Sequence, residues 1–145
     1  MKKVISACLL GINCRYNGKD KFSKDAFKEF TDSESVLLCP ELLANLGIPR
    51  PACEIVAGDG FDVLTGKAKI IDSSGKDVTK KYLVGAHKAL DIVIKLGAKE
   101  AILKSGSPSC GCGNIYDGTF TGKKKVGYGV FAALLKKNGI TVREI

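Results

Sequence analysis

Thr79-Lys80-Lys81-Tyr82-Leu83-Val84-Gly85-Ala86-His87-Lys88-Ala89-Leu90-Asp91-Ile92-Val93-Ile94-Lys95-Leu96-Gly97, with Ala101-Ile102-Leu103 close behind it, is the stretch that decides the fold. Leu83, Ala86, Leu90, Val93 and Ile94 recur at helical spacing, Asp77 or Thr79 can cap the start, and Gly97 supplies the stop. The apolar triplet that follows reads as a buried strand. The same alternation continues outward. Residues 3–9 form an apolar run led by β-branched side chains and closed by Gly11, and Val36-Leu37-Leu38-Cys39 is a second strand stopped by Pro40. Between them Phe22, Ala26, Phe27 and Phe30 follow helical spacing, with Ser23 as N-cap. Residues 128–137 make another amphipathic helix ended by Asn138-Gly139, and residues 140–142 the last strand. The expectation is an α/β fold: one compact domain over residues 1–145, with a mostly parallel, Rossmann-like open sheet flanked by helices. The proline- and glycine-rich segment 47–60 is expected as loop, and residues 61–71 as a small hairpin turning at Thr65-Gly66.

The 145 residues suit a single domain that needs no covalent staples. At 45% hydrophobic and 26% charged residues, the composition excludes disorder and collagen-like repeats. No internal repeat or low-complexity segment interrupts it. The net charge of +8 is a solubility and steering feature that weakly favours an anionic partner. Met1–Leu10 superficially imitates a lipoprotein signal, but few apolar residues precede Cys8 where a signal core needs roughly 7–15. No run approaches the roughly 18 apolar residues of a membrane span. The expectation is a cytoplasmic protein without membrane attachment, whose thiols stay reduced.

Six cysteines then call for an explanation. Zinc ribbons and thioredoxin-type sites both need C-x-x-C, and the only close pair is Cys110-Gly111-Cys112. In open α/β sheets, ligands bind beyond the carboxyl ends of the strands. Cys8 ends the first strand, Cys39 ends the second, and Cys110 lies in the loop after the third, so all three share one sheet edge. Three thiolates meeting there suit an iron–sulfur cluster and would leave one iron open to substrate; the plain alternative is buried packing. Glu41 follows Cys39-Pro40 and stands either beside such a cluster or as an ordinary acid at a helix start. Ser105-Gly106-Ser107-Pro108-Ser109-Cys110 is a tight loop able to offer hydroxyls and N–H groups to an oxyanion, or merely to turn the chain. His87, the only histidine, reads as structural, and Lys123-Lys124-Lys125 as a solvated loop tip.

At these residues the sequence resembles a family of small bacterial and archaeal proteins, long labelled a domain of unknown function, that includes thiouracil desulfidases. The resemblance is carried by Ser6-Ala7-Cys8-Leu9-Leu10-Gly11, Arg15-Tyr16-Asn17-Gly18, Cys39-Pro40-Glu41, and Pro49-Arg50-Pro51 with Glu54. It continues through Gly75-Lys76-Asp77-Val78-Thr79, Gly85-Ala86, Leu103-Lys104, Ser107-Pro108-Ser109-Cys110-Gly111, Tyr116-Asp117-Gly118-Thr119-Phe120 and Gly127-Tyr128-Gly129-Val130. It implies a 4Fe–4S cluster held by Cys8, Cys39 and Cys110, a catalytic carboxylate at Glu41, and a catalytic serine at Ser107 or Ser109. Cys14, Cys53 and Cys112 are extra thiols, able to substitute as ligands or to resolve an oxidised site.

The function expected is cluster-dependent desulfidation: hydrolytic removal of sulfur, as hydrosulfide and without net redox change, from a thio-substituted pyrimidine or similar thiocarbonyl compound. One alternative is a sulfur-carrying enzyme for RNA base thiolation; another is a non-catalytic, metal-bearing RNA-binding module. RNA is not the favoured partner, because no appended RNA-binding domain is present.

Overall fold

The computed structural model describes residues 2–145. Its main sheet has four strands, β1 (Lys3–Ser6), β2 (Ser35–Leu38), β5 (Glu100–Leu103) and β8 (Thr141–Glu144), in the order β2-β1-β5-β8 and all parallel. The period-2 alternation of a strand is visible in what each residue buries. Val4, Ala101 and Leu103 join one apolar cluster, while Ile5 and Ile102 join another. The sheet is therefore covered on both faces.

Strand order explains which helix covers which face. The chain steps outward from β1 to β2 through α1 (Lys24–Asp32), then reverses to β5 through α4 (Thr79–Leu96), and goes on to β8 through α5 (Val130–Lys137). Right-handed crossovers that reverse direction put their helices on opposite faces. Accordingly, Ala26 of α1 packs with Ile5 and Ile102, whereas Ala86, Val93 and Phe131 of α4 and α5 pack with Val4 and Leu103. The reversal leaves a crevice between β1 and β5 at their carboxyl ends, where doubly wound sheets bind ligands.

Local chemistry sets the boundaries. Ser23 caps α1 as expected, its Oγ accepting from Ala26 N at 3.2 Å. Neither Asp77 nor Thr79 is the N-cap of α4: Val78 holds that position without a side-chain cap, Asp77 Oδ1 accepts from Thr79 N at 2.9 Å in the turn before it, and Gly97 closes the helix in the left-handed region. The buried face of α4 is carried by Tyr82, Gly85, Ala86, Ala89, Leu90 and Val93, so Ala86, Leu90 and Val93 of the expected stripe are buried, whereas Leu83 is half-buried and Ile94 exposed. In α1 only Ala26 is buried; Phe22, Phe27 and Phe30 remain on the surface, so their spacing marks a helix but no core. The helix expected from Tyr128 starts two residues later, at Val130.

Two further expectations are corrected. Segment 47–60 contains a strand, β3 (Cys53–Val56), paired antiparallel with β4 (Lys69–Asp72). Residues 61–71 are therefore no hairpin. A short helix, α3 (Gly60–Leu64), intervenes, because Asp59 and Asp62 form a reciprocal capping box that starts a helix where alternation alone suggests a strand. Lys124 and Lys125 lie in β7 (Lys124–Val126), which pairs with β6 (Asn114–Tyr116), rather than in a loop tip. No helix of the described residues is long and apolar enough to cross a membrane.

Candidate active site

A cavity of about 460 Å³ opens at the carboxyl edge of the sheet. Each element that ends there contributes a thiol. β1 runs directly into a 3-10 turn, Ala7–Leu10, which carries Cys8, and Gly11 with φ 90° lets the chain leave it. β2 runs into the four-residue helix α2 (Pro40–Leu43), with Cys39 at its N-cap and Pro40 at the first helical position. After β5, Ser107 Oγ accepts from Ser109 N at 3.0 Å and Cys110 N at 3.1 Å, which coils the loop around Cys110. The start of α5 pins that loop from beneath, with Phe131 N and Ala132 N both bonded to Ser109 O. Gly129 permits the approach: a Cβ there would stand 2.5 Å from the Ser109 carbonyl.

Cys8, Cys14, Cys39, Cys53 and Cys110 all line the cavity, and Cys112 does not. An all-sulfur donor set of this kind fits an iron–sulfur cluster. Burial pushes the Cys110 thiol well up, against a lowering hydrogen bond from Ser6. The neighbouring Cys14 thiol and burial do the same for Cys39. Neutral thiols must lose their protons to bind metal, so loading of the site is proton-coupled.

Glu41 projects into the same space from the first turn of α2. Its Oε1 accepts from Tyr82 Oη at 2.6 Å, and its Oε2 lies 3.4 Å from Arg50 Nη2. Burial, then the charge of Glu41, push the Tyr82 phenol far up, which keeps it a donor. The buried Arg50 also donates to the carbonyls of Gly47 (2.8 Å) and Cys14 (3.1 Å), while its Nε has no partner among the described residues. Gly85 allows α2 to sit this close to α4, since a Cβ there would collide with the Pro40 carbonyl and come within 2.7 Å of Ala44 Cβ. Arg15, Lys21, Lys104 and Lys124 also line the cavity and make it attractive to anions. Burial depresses the Lys104 pKa.

Of the residues singled out from sequence, the structure brings Cys8, Cys39, Cys110, Glu41 and Ser107 together at one cavity. Ser109 is 1% exposed and does not line it. His87 is exposed on α4, away from it. Tyr82 and Arg50 were not assigned roles from sequence. The usable signals were an Arg locked between two prolines, and a Tyr one helical turn before a mid-helix glycine.

The 2-thiouracil desulfurase family model matches residues 4–144. The chain belongs to the 2-thiouracil desulfurase family. Its relatives include the uncharacterized protein YbbK of Bacillus subtilis (strain 168), 50% identical over 139 residues that cover 96% of this chain and 92% of YbbK. Among solved structures, the [4Fe-4S]-dependent thiouracil desulfidase TudS superposes with a TM-score of 0.85 at 37% identity, covering 99% of this chain and 89% of TudS. Family membership accounts for the α/β architecture and joins desulfidase chemistry to this fold.

Proposed function

We propose that the protein removes sulfur from a thio-substituted pyrimidine, or a similar small thiocarbonyl compound, by hydrolysis. The carbon–sulfur double bond is exchanged for a carbon–oxygen one, one water is consumed and one hydrogen sulfide is released, with no net electron transfer. The observation that carries the reading is the meeting of Cys8, Cys39 and Cys110, from three separate strand ends, with Glu41 in one cavity. The [4Fe-4S] dependence of TudS supports a cluster here, held by these three thiolates. When bound, such a cluster supplies a Lewis acid of high affinity for sulfur.

The chain's own residues manage the water and the protons. Glu41 takes a proton from the water adding to the thiocarbonyl carbon and returns it to the departing sulfur. Tyr82 and Arg50 hold its carboxylate at both oxygens, so the base is oriented before substrate arrives. Ser107 fits the serine role better than Ser109. Both acceptor positions of its hydroxyl are occupied by the N–H groups of Ser109 and Cys110, so the O–H is left to donate to developing charge on the substrate.

Sulfide release from 2-thiouracil by anaerobically reconstituted protein tests the proposal. Glu41→Gln is expected to keep its iron but lose roughly 10²–10⁴-fold in turnover. Arg50 retains its two carbonyl partners in that variant, so the site should not collapse. Wild-type rates at full iron content would remove Glu41 from the mechanism. Absence of sulfide release together with salt-sensitive RNA binding would replace the reading with an RNA-binding module.

A further inference from the structure

Glu54 is a buried carboxylate that the proposed mechanism does not use. It lies on β3, is 8% exposed and lines the cavity. Its Oε1 accepts from Gly118 N at 2.9 Å and from Phe120 N at 3.1 Å. Those bonds seat the loop between β6 and β7 on β3, where a Cβ at Gly118 would stand 2.6 Å from the Ile55 carbonyl oxygen. Its Oε2 has no hydrogen-bond partner among the described residues. The other lining carboxylate, Glu41, is held at both oxygens by Tyr82 and Arg50. The cations of the lining, Arg15, Lys21, Lys104 and Lys124, can only donate. Glu54 Oε2 is thus the free carboxylate oxygen of a cavity otherwise rich in donors.

We propose that Glu54 is a substrate-binding residue: its free oxygen accepts the ring N–H beside the thiocarbonyl carbon, and the site selects cyclic thioamides that carry this N–H. The inference deepens the proposed function and rests on it. A thiopyrimidine in its thione form has such an N–H, which gives up water on entering the cavity and needs an acceptor in exchange. A carboxylate makes the stronger, charge-assisted bond, and this one is fixed before substrate arrives, because two backbone N–H groups hold its other oxygen. Phe120 delivers one of them at φ 58°, a left-handed conformation unfavourable for a large side chain, so the loop is held to that geometry by its bonds. The two acids then divide the work. Glu54 orients the ring, and Glu41 moves the proton of the incoming water.

Two isomers, 1-methyl-4-thiouracil and 3-methyl-4-thiouracil, test this, because they differ only in which nitrogen is blocked. The 1-methyl isomer keeps the N–H beside its thiocarbonyl carbon, and the 3-methyl isomer lacks it. Sulfide release by anaerobically reconstituted wild type should favour the 1-methyl isomer by about 10²-fold or more in kcat/KM. In Glu54→Gln the anchored oxygen still accepts from Gly118 and Phe120, while the free position becomes an amide that donates. The preference should shrink to within about fivefold of unity, with the loss for the 1-methyl isomer falling on KM rather than kcat. A ratio measured on one sample does not depend on how much of that sample is folded or loaded. Equal rates for the two isomers with wild type overturn the proposal. So does an undiminished preference in Glu54→Gln, which would leave the residue an anchor for the β6–β7 loop. Loss of both activities in Glu54→Gln at full iron content overturns it as well, since the residue would then serve the reaction and not the choice of substrate. If wild type releases sulfide neither from these isomers nor from 2-thiouracil, the proposed function fails, and this inference with it.

Discussion

Ser107 and Tyr82 show how hydrogen-bond accounting assigns work that residue type alone leaves open. Ser107 and Ser109 are equivalent in the sequence, two residues apart in one loop. They separate only when their neighbours are known, since one hydroxyl organises the Cys110 loop and the other side chain is sealed beneath it. Ser107→Ala strands two backbone N–H groups, so it should cost about 1–3 kcal/mol in thermal or denaturant unfolding. It should lower sulfide release as well, while Ser109→Ala leaves turnover near wild type; the reverse order would exchange their roles. Tyr82→Phe keeps the buried ring and deletes one hydrogen bond to a carboxylate. The expected result is a fall in turnover of about tenfold at unchanged iron content. An unaltered rate would show that Arg50 alone orients Glu41. Cys112, raised to about 11 chiefly by burial and then by the charge of Glu144, should be alkylated slowly at pH 8. Its rate should climb with pH as the thiolate forms.

Elements were legible where one signal dominated and misread where two competed. The run ending in Gly97 and the strand at Ala101-Ile102-Leu103 have no rival reading, and both stand as expected. Residues 61–71 alternate weakly, but an Asp59–Asp62 capping box lies just at their start and wins locally, so a helix precedes β4. β3 was hidden because proline and glycine crowd its flanks, and its pairing partner lies across that helix. Tyr82 was missed for a related reason: the apolar stripe was drawn through Leu83, one position from the true buried face. That face is what makes Gly85 critical. Gly→Ala in a helix interior ordinarily gains up to about 1 kcal/mol. Here the added methyl meets α2 backbone, so Gly85→Ala should instead lower stability by about 1–3 kcal/mol. It should also impair turnover by shifting Glu41. A raised melting temperature with normal activity would show that α2 and α4 can part without consequence.

For the whole molecule, the order β2-β1-β5-β8 turns scattered sequence positions into one site. Parallel strands end on the same side, so Cys8, Cys39 and Cys110 were placeable from strand boundaries alone. What strand boundaries could not supply was anything set by contact between distant elements: the Tyr82–Glu41 bond, the Arg50 clasp, and the arrival of Cys14 and Cys53, but not Cys112, at the cavity. The same topology makes the cofactor a cross-link. Thiolates following β1, β2 and β5 would tie together three of the four strands of the sheet at one end, and a group bound only by the folded state stabilises it by mass action. At a thousandfold excess over the dissociation constant this amounts to about 4 kcal/mol, or roughly 8–16 °C in melting temperature. Calorimetry under anaerobic conditions, on reconstituted and iron-free samples of one preparation, should show that gap. Hydrogen exchange should place the added protection at residues 7–14, 38–41 and 107–112 rather than at the distant β3–β4 pair. Cys110→Ala should melt near the iron-free value with or without reconstitution, because one anchor is missing. Equal melting temperatures for loaded and iron-free wild type would mean that the three strand ends are already fixed by the protein, and that the cluster occupies its site without bracing the fold.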